Sequence, residues 1–281
     1  MLCGKSRTNS ASQWGKPHPS AKSTFIIQIS SIIKPSVSFS KTTITSPSRI
    51  QLIPWDPNSE EHINRLILQR LACGWGAENV RETWCKQQQE GHKSLHWIVL
   101  KPTPQTPLQL TTHLSSFPQE STPLPYPTSP NTPHSSHSLS EDYESFIPIG
   151  HISLDADEAD PPGKLSYDLK NVFRITAFYI SKPLQGLKVG SLAMDEVERM
   201  ARGRGRKALV LSTAADEYPG REEKFVAMGK MLPVHSVSKW YARRGYELYK
   251  TVEEAWFDID STGKTWHISA VFMKRDIGGQ L

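Results

Sequence analysis

"LQGLKVGSLAMDEVERM", residues 184–200, begins as a loop and continues as an amphipathic helix. Val189, Ala193, Val197 and Met200 recur at helical spacing along one face. Asp195 with Arg199, and Glu198 with Arg202, stand four apart on the others and predict ion pairs within the helix. Immediately upstream, "VFRITAFYI" at 172–180 is an apolar, β-branched and aromatic run that reads as a strand. A glycine-containing turn from strand into helix offers uncommitted amides and a positive helix end to an anion. Two common phosphate loops are excluded here. Gly186 and Gly190 are separated by three residues and no Lys-Ser follows, so this is not a P-loop, and the G-x-G-x-x-G fingerprint is absent.

Working outward, "RIQLIPWD" predicts a short strand and "DPNSEEHINRLILQRLA" a helix capped by Asp56 or Asn58. Its apolar face is Ile63, Leu66, Ile67 and Leu71. "GWGAENVRETWCKQQQ" reads as a second helix with Val80 and Trp84 four apart, and "SLHWIVLK" as a strand. "FIPIGHISLDADE" and "RKALVLST" are further strands. "HSVSKWYARRGY" is a short helix closing at Gly245 in the left-handed conformation. Two long strands, "YELYKTVEEAWFDID" and "TWHISAVFMKRDI", flank a turn at "DSTGK". The expected order is βααβ, an insertion, then ββαβαββ, without repeats.

Two segments stand outside this pattern. Residues 1–48 are rich in Ser, Thr, Lys and Pro and read as a disordered tail. Residues 102–142 read as a disordered Pro/Ser/Thr-rich insertion, with nine prolines and one acid over 102–140. Its Ser-Pro and Thr-Pro pairs are candidate phosphorylation sites or plain solvated loop. His113, His134 and His137 are scattered in it without metal-ligand spacing.

The net charge of +5 suggests nucleic acid until its location is considered. Residues 1–55 carry seven Lys and Arg and no acid, which leaves −2 for the remaining chain. The near-neutral body argues against a nucleic-acid partner. "RGRGRK", 202–207, is at a helix exit, where positive charge suits the dipole. Cys3, Cys73 and Cys85 have neither metal nor disulfide spacing, which favours a reducing compartment, cytoplasmic or nuclear. The acid-free, Ser-rich leader leaves mitochondrial import as the alternative. "FIIQISSII" is too short and interrupted to span a bilayer.

"ITAFYI", "SKPLQGLKVGSLAMDEVE" and "WYARRGYE" together resemble the GNAT superfamily of N-acetyltransferases. The ending "TVEEAWFDIDSTGKTWHISAVFMKRDI" is similar to that of fungal-type members. The resemblance covers residues 49–281 with the insertion removed and is most specific over 172–246. It implies an α/β (α+β) fold with a mixed, mostly antiparallel central sheet flanked by helices and a splayed central strand pair. It also implies acetyl-coenzyme A as co-substrate and transfer of the acetyl group to a primary amine of a small molecule or protein. The alternative it leaves is a non-catalytic coenzyme A-binding module, a sensor or scaffold.

In that family the diphosphate lies on a loop of pattern Q/R-x-x-G-x-G/A. Gln185 matches its first position and Gly190 its last, within a cofactor-binding stretch Gln185, Gly186, Leu187, Lys188, Val189, Gly190 and Ser191. Lys188 stands where the middle glycine is usual. It must adopt an ordinary backbone conformation or bear left-handed strain of order ~1 kcal/mol. Its cation compensates for the missing glycine, faces solvent, or impairs binding. The resemblance further implies that backbone amides at Phe178, Tyr179 and Ile180 face the cofactor, with Pro183 marking a break in strand pairing. Tyr241 matches the usual proton donor to the leaving thiolate; its other reading is a helix tyrosine packed on Trp240 and Tyr246. His235 and Ser238 are expected on the same helix, His235 as a surface or capping residue or a base. The general base is not legible. Glu144, Asp155 and Asp157 are candidates beside a water relay.

Overall fold

A computed structural model describes residues 48–127, 143–156, 172–233 and 235–278. Residues 1–47 of the expected disordered tail, and the histidines His134 and His137, lie outside them.

The chain runs β1 (Ile50–Pro54), α1 (Glu60–Cys73), a π-helical turn (Val80–Trp84), α2 (Cys85–Gln89) and β2 (Leu95–Leu100). There follow α3 (Thr106–Ser116), a 3₁₀ turn (Pro118–Glu120), β3 (Leu124–Pro127), β4 (Tyr143–Phe146) and β5 (Gly150–Ala156). Next come β6 (Phe173–Ile180), a 3₁₀ turn (Lys182–Leu184), α4 (Val189–Gly203) and β7 (Ala208–Ala214). The chain closes with α5 (Arg221–Ala227), α6 (Val237–Arg243), β8 (Glu247–Ile259) and β9 (Thr265–Asp276).

Seven strands form one sheet in the order β1-β2-β5-β6-β7-β9-β8, and β3 pairs with β4 in a separate hairpin. Within the large sheet only β6 and β7 are parallel. This is the mixed, mostly antiparallel central sheet flanked by helices that the resemblance implies. Its parallel pair flanks α4, because a helical crossover returns the chain in the same direction.

Two apolar layers sandwich the sheet. On one face α4 buries Val189, Ala193, Met194, Val197 and Ala201 against Ile152, Leu154, Ile175 and Leu211. On the other, Ile63 and Leu66 of α1 pack with Trp55, Val80, Leu95 and Trp97 and with Leu124 and Phe146 of the hairpin.

Several local expectations are corrected. Ser59, not Asp56 or Asn58, caps α1, accepting from the His62 N–H at 3.3 Å. The buried face of α1 is rotated from the expected one. Leu71 is 64% exposed, whereas His62, Arg65, Gln69 and Arg70 are buried. The expected pairs inside α4 do not form. Arg199 pairs with Glu196, while Asp195 and Glu198 bind Arg244, and Glu198 also binds Arg275. Arg244 after α6 and Arg275 of β9 take Glu198 because a buried carboxylate gains more from enclosed guanidinium groups than from an exposed neighbour.

The largest correction concerns the expected insertion. Over 102–127 it forms α3, a 3₁₀ turn and β3. Composition misleads because the order comes from docking on the polar stripe of α1. His62 Nε2 donates to the Pro125 carbonyl at 2.9 Å, Arg65 Nη2 to Thr122 at 2.6 Å, and Gln69 Nε2 to Glu120 Oε2 at 2.7 Å.

Candidate active site

β6 and β7 pair only at Phe173↔Leu209, Arg174↔Val210 and Ile175↔Leu211. Beyond Ile175 they part, and the rest of β7 stays with β9. The cause lies in β6. Against β5 the register runs His151↔Tyr179 and then Ser153↔Thr176, so Ala177 and Phe178 together oppose Ile152. Ala177 takes φ +47°, the signature of a bulge, which bends the strand. β5 holds the bent end closely. A Cβ at Gly150 would lie 2.2 Å from the Tyr179 carbonyl, so glycine is required there.

The Ser181 N–H donates to the Ile149 carbonyl at 2.9 Å. By strand alternation the Tyr179 amide also faces β5, whereas the Ile180 amide faces the opening. Of the three amides expected at the cofactor, Ile180's is turned toward the gap and Tyr179's away from it. Phe178 sits at the bulge with its ring 6.3 Å from that of Trp240.

The loop that follows is built from tight turns. Leu184 N donates to Ser181 at 2.9 Å and Gln185 N to Lys182 at 3.1 Å, while the Leu184 side chain is fully buried. Gln185 Nε2 donates back to the Ile180 carbonyl at 3.0 Å, tying the loop to the end of β6. Gln185, Gly186, Leu187 and Lys188 are exposed, Val189 is buried, and Gly190 and Ser191 are half-buried. Lys188 adopts φ +65°, ψ +3°, so it takes the strained option, at a cost of roughly 1–2 kcal/mol.

No side chain from the cap position satisfies the start of α4, and its first turn carries no acid. An ideal Cβ at Gly190 would meet Phe178 Cζ at 3.6 Å, Ile180 Cγ1 at 3.8 Å and Trp240 Cζ2 at 3.8 Å. Gly190 thus brings β6 and α6 side chains close beside the uncapped helix start. The residues present fit a diphosphate-bearing ligand: free amides, a positive dipole end and a lysine, with no opposing carboxylate in the first turn.

α6 forms the other wall. Ser236 caps it, accepting from Lys239 N at 2.9 Å. The Ser236 and Ser238 hydroxyls donate to Asp216 Oδ2 at 2.6 and 2.5 Å, pinning α6 to the loop after β7. Against the opposing cost of burial, these bonds hold the Asp216 carboxyl below its ordinary range. Ser238 is thus committed to Asp216, and His235 precedes the helix, exposed. Tyr241 is 6% exposed, its ring 4.8 Å from Trp240 and 5.6 Å from Tyr246.

The opposite face of β6 carries a second group of polar residues. Gln69 Nε2 donates to Glu120 Oε2 and, at 3.0 Å, to the Pro148 carbonyl, while its Oε1 accepts from His151 Nδ1 at 2.9 Å. His113 is fully buried, and Ser181 Oγ bonds its Nδ1 at 2.7 Å. Burial, helped by the Arg65 charge, lowers the His113 pKa to about 4, so the ring is neutral. Burial pushes the Glu120 carboxyl up. The Tyr179 ring stacks at a tilt on His151, 5.5 Å away. Glu120 escaped sequence reasoning, and His113 was read only as a scattered histidine, because both lie in the stretch read as disordered. The one acid among nine prolines was the available signal.

Asp155 is occupied: Lys93 binds it at 2.9 Å and Thr176 at 2.6 Å, with Ser153 also donating to it. It holds strands together. Glu144 falls in β4, and Asp157 lies outside the described residues. A cavity of about 600 Å³ lies elsewhere, lined by Ile53, Leu100, Leu110 and Tyr126 among others. It contains none of the residues at the strand gap. Among the described residues no His, Cys, Asp and Glu cluster could hold a metal ion, and no helix is long and apolar enough to cross a membrane.

Residues 107–222 match the acetyltransferase (GNAT) family. That span contains α3, the bulged strand, the loop and α4. A search of curated proteins found no match. Solved structures with a similar chain path include an aminoglycoside 6'-N-acetyltransferase complexed with coenzyme A, 12% identical over 82% of this chain and 99% of that one, TM-score 0.43. Another is the aminoglycoside 6'-N-acetyltransferase from Enterococcus faecium, 11% identical with the same coverages and TM-score 0.44. A third is an N-acetyltransferase from Staphylococcus aureus Mu50, 9% identical, again covering 82% and 99%, TM-score 0.44.

Proposed function

We propose, from the match of residues 107–222 to the acetyltransferase (GNAT) family, that this chain transfers an acetyl group from acetyl-coenzyme A to a primary amine. One observation carries the reading. β6 leaves β7 after three residue pairs, directly beside the uncapped start of α4. The gap gives a thioester room to lie against unpaired backbone, and the helix start receives the diphosphate.

Bound acetyl-coenzyme A supplies the activated acetyl group. The amides of the α4 first turn and the Lys188 cation hold its diphosphate. The Ile180 amide donates to the oxyanion that develops at the thioester carbonyl. Tyr241 gives a proton to the leaving thiolate. Phe178 and Trp240, beside Gly190, exclude water from the pantetheine path.

The test is thiol release from acetyl-coenzyme A across a panel of small amines and peptides. Release with one class of amine supports the enzyme. A second reading, a coenzyme A-binding module without turnover, draws on the left-handed Lys188, whose strain occupies the position of a glycine. Tight binding with no release across the panel would favour it.

A further inference from the structure

Trp75, in the turn after α1, meets Trp256 of β8 with ring centroids 5.8 Å apart. α1 packs with β1 and β2, and Trp256 packs with Val210 and Phe272, both on the face of the sheet opposite α4. β8 lies beyond β7 and β9, so this turn crosses from one side of the β6–β7 parting to the other. Arg70 holds the turn: its Nε donates to the Trp75 carbonyl at 2.6 Å.

Arg70 is 6% exposed, yet among the described residues no acid forms an ion pair with it. Its other contacts are His151 Nε2, 3.5 Å from Nη1, and the Trp84 ring, 5.3 Å from Cζ. Lys93 is on the same ring at 4.5 Å, but Asp155 neutralises it at 2.9 Å. Asp155 thus serves Lys93 and leaves Arg70 without a counter-charge. A buried cation is ordinarily matched by an acid, because its lost hydration is otherwise uncompensated. Burial pushes the Arg70 guanidinium below its ordinary range, and a guanidinium still keeps its charge.

One edge of that guanidinium is open. An ideal Cβ at Gly76 would stand 3.6 Å from Arg70 Nη2, 3.2 Å from Asn79 Nδ2 and 3.7 Å from Trp84 Cζ2. Gly76 takes φ +66°, so the turn itself favours glycine, and two N–H donors converge beside an indole edge where no side chain stands. Nη2 has no hydrogen bond among the described residues and is not enclosed, so it reaches the surface. The opposite nitrogen leads inward. His151 stacks on Tyr179 at 5.5 Å and is its cross-strand partner, one residue before Ile180. The guanidinium therefore spans from the surface of the turn to the end of β6.

We propose that the acceptor is a small amine bearing a carboxylate, and that Arg70 with Asn79 is the specificity-determining pair that receives the carboxylate. The inference rests on the acetyl-transfer reading above. A carboxylate accepts charge-assisted bonds from Arg70 Nη2 and Asn79 Nδ2, while the Trp75 and Trp84 rings flank the carbon chain. Glu78 is the competing anion: its Oε1 accepts from Asn79 Nδ2 at 3.2 Å, and its charge is felt by Arg70. Glu78 is exposed and turns to solvent when the acceptor takes the amide. Polyamines are disfavoured by the same geometry, because a second ammonium would meet the uncompensated Arg70 charge.

The test measures thiol release from acetyl-coenzyme A with glycine, 4-aminobutyrate and 6-aminohexanoate, each beside its carboxamide, and with spermidine. For the best of the three, kcat/KM should exceed that of its carboxamide roughly 10- to 100-fold, the worth of a hydrogen bond to a charged group, and spermidine should be poorer still. Arg70→Met should erase this carboxylate-to-carboxamide ratio, and Arg70→Lys should keep part of it. Asn79→Asp should lower the ratio about ten-fold while the Arg70 bond to Trp75 stays in place, so it decides the matter if Arg70→Met does not fold. A wild-type ratio below three-fold, or a ratio unchanged in Asn79→Asp, overturns the proposal. If wild type releases thiol with none of these amines, the acetyl-transfer reading fails by itself. Saturation-transfer NMR of the same compounds with the coenzyme A-bound protein then judges the carboxylate receptor separately. Carboxylates saturated in preference to carboxamides, with the preference lost in Asn79→Asp, sustain it; equal or absent saturation overturns it.

Discussion

Gly190 and Trp240 face each other at the start of α4 with room for a methyl group and little more: a Cβ at 190 would stand 3.8 Å from Trp240 Cζ2. Gly190→Ala should therefore fold normally and bind acetyl-coenzyme A somewhat more weakly. Gly190→Glu should abolish binding, since it adds bulk and a negative charge where the diphosphate meets the helix dipole. Calorimetric titration separates them, and unchanged affinity in the glutamate variant removes the phosphate site.

Lys188→Gly acts in two directions. Glycine accepts φ +65° without strain, so the melting temperature should rise, by an amount corresponding to about 1 kcal/mol. Loss of the exposed cation should weaken cofactor binding a few-fold at low salt, because such a contact is worth under ~1 kcal/mol. The difference should vanish near 1 M salt, where the Debye length is ~3 Å. Tighter binding of the variant at every salt concentration would show that the lysine is a handicap.

Tyr241→Phe should leave cofactor affinity nearly intact and lower turnover by roughly 10- to 1000-fold. Its ring contacts with Trp240 and Tyr246 survive the substitution, and a melting curve of the variant separates lost catalysis from lost stability. Equal turnover from pH 7 to 9 would refute the donor role.

Acid should destabilise the fold through buried histidines. His113 has a pKa of about 4 in the fold against 6.5 for the free side chain. Between those values the unfolded chain binds more protons, so stability is complete above pH 6.5 and declines as pH falls toward 4. His62, His96 and His151, lowered first of all by burial, add to the slope. Glu120, raised by burial, opposes it above its ordinary range. Urea unfolding should give a lower stability at pH 5 than at pH 7, with a smaller difference in His113→Gln. An unchanged difference would exclude His113 as a contributor.

The strands, α4 and the left-handed Gly245 could be read from the sequence because each is encoded by neighbours: apolar period, a turn residue, a terminal glycine. The left-handed state of Lys188 was one of two options that residue chemistry left open. α3 was invisible. Leu108 is 72% exposed, and the helix carries almost no apolar stripe; its buried anchor is His113, bonded to Ser181, far away in sequence. The polar residues of α1 that hold the following turn and β3 gave no signal either, because a polar residue on a helix is ordinarily solvent-facing. The same locality explains why Glu198 was given to Arg202 and belongs to Arg244 and Arg275.

Three residue pairs join β6 to β7, whereas six join β5 to β6 across the bulge and seven join β7 to β9. Mechanically the sheet is two leaves on a short spine, with α4 strapped across their shared face. A ligand lying in the gap acts as a clasp. At a hundred times its dissociation constant it should add roughly 2.7 kcal/mol to unfolding. The gain should not be uniform. Amide exchange should slow most along the parting edges, Thr176–Ile180 and Ser212–Ala214, and least in β1 and β2, where the leaf is already closed.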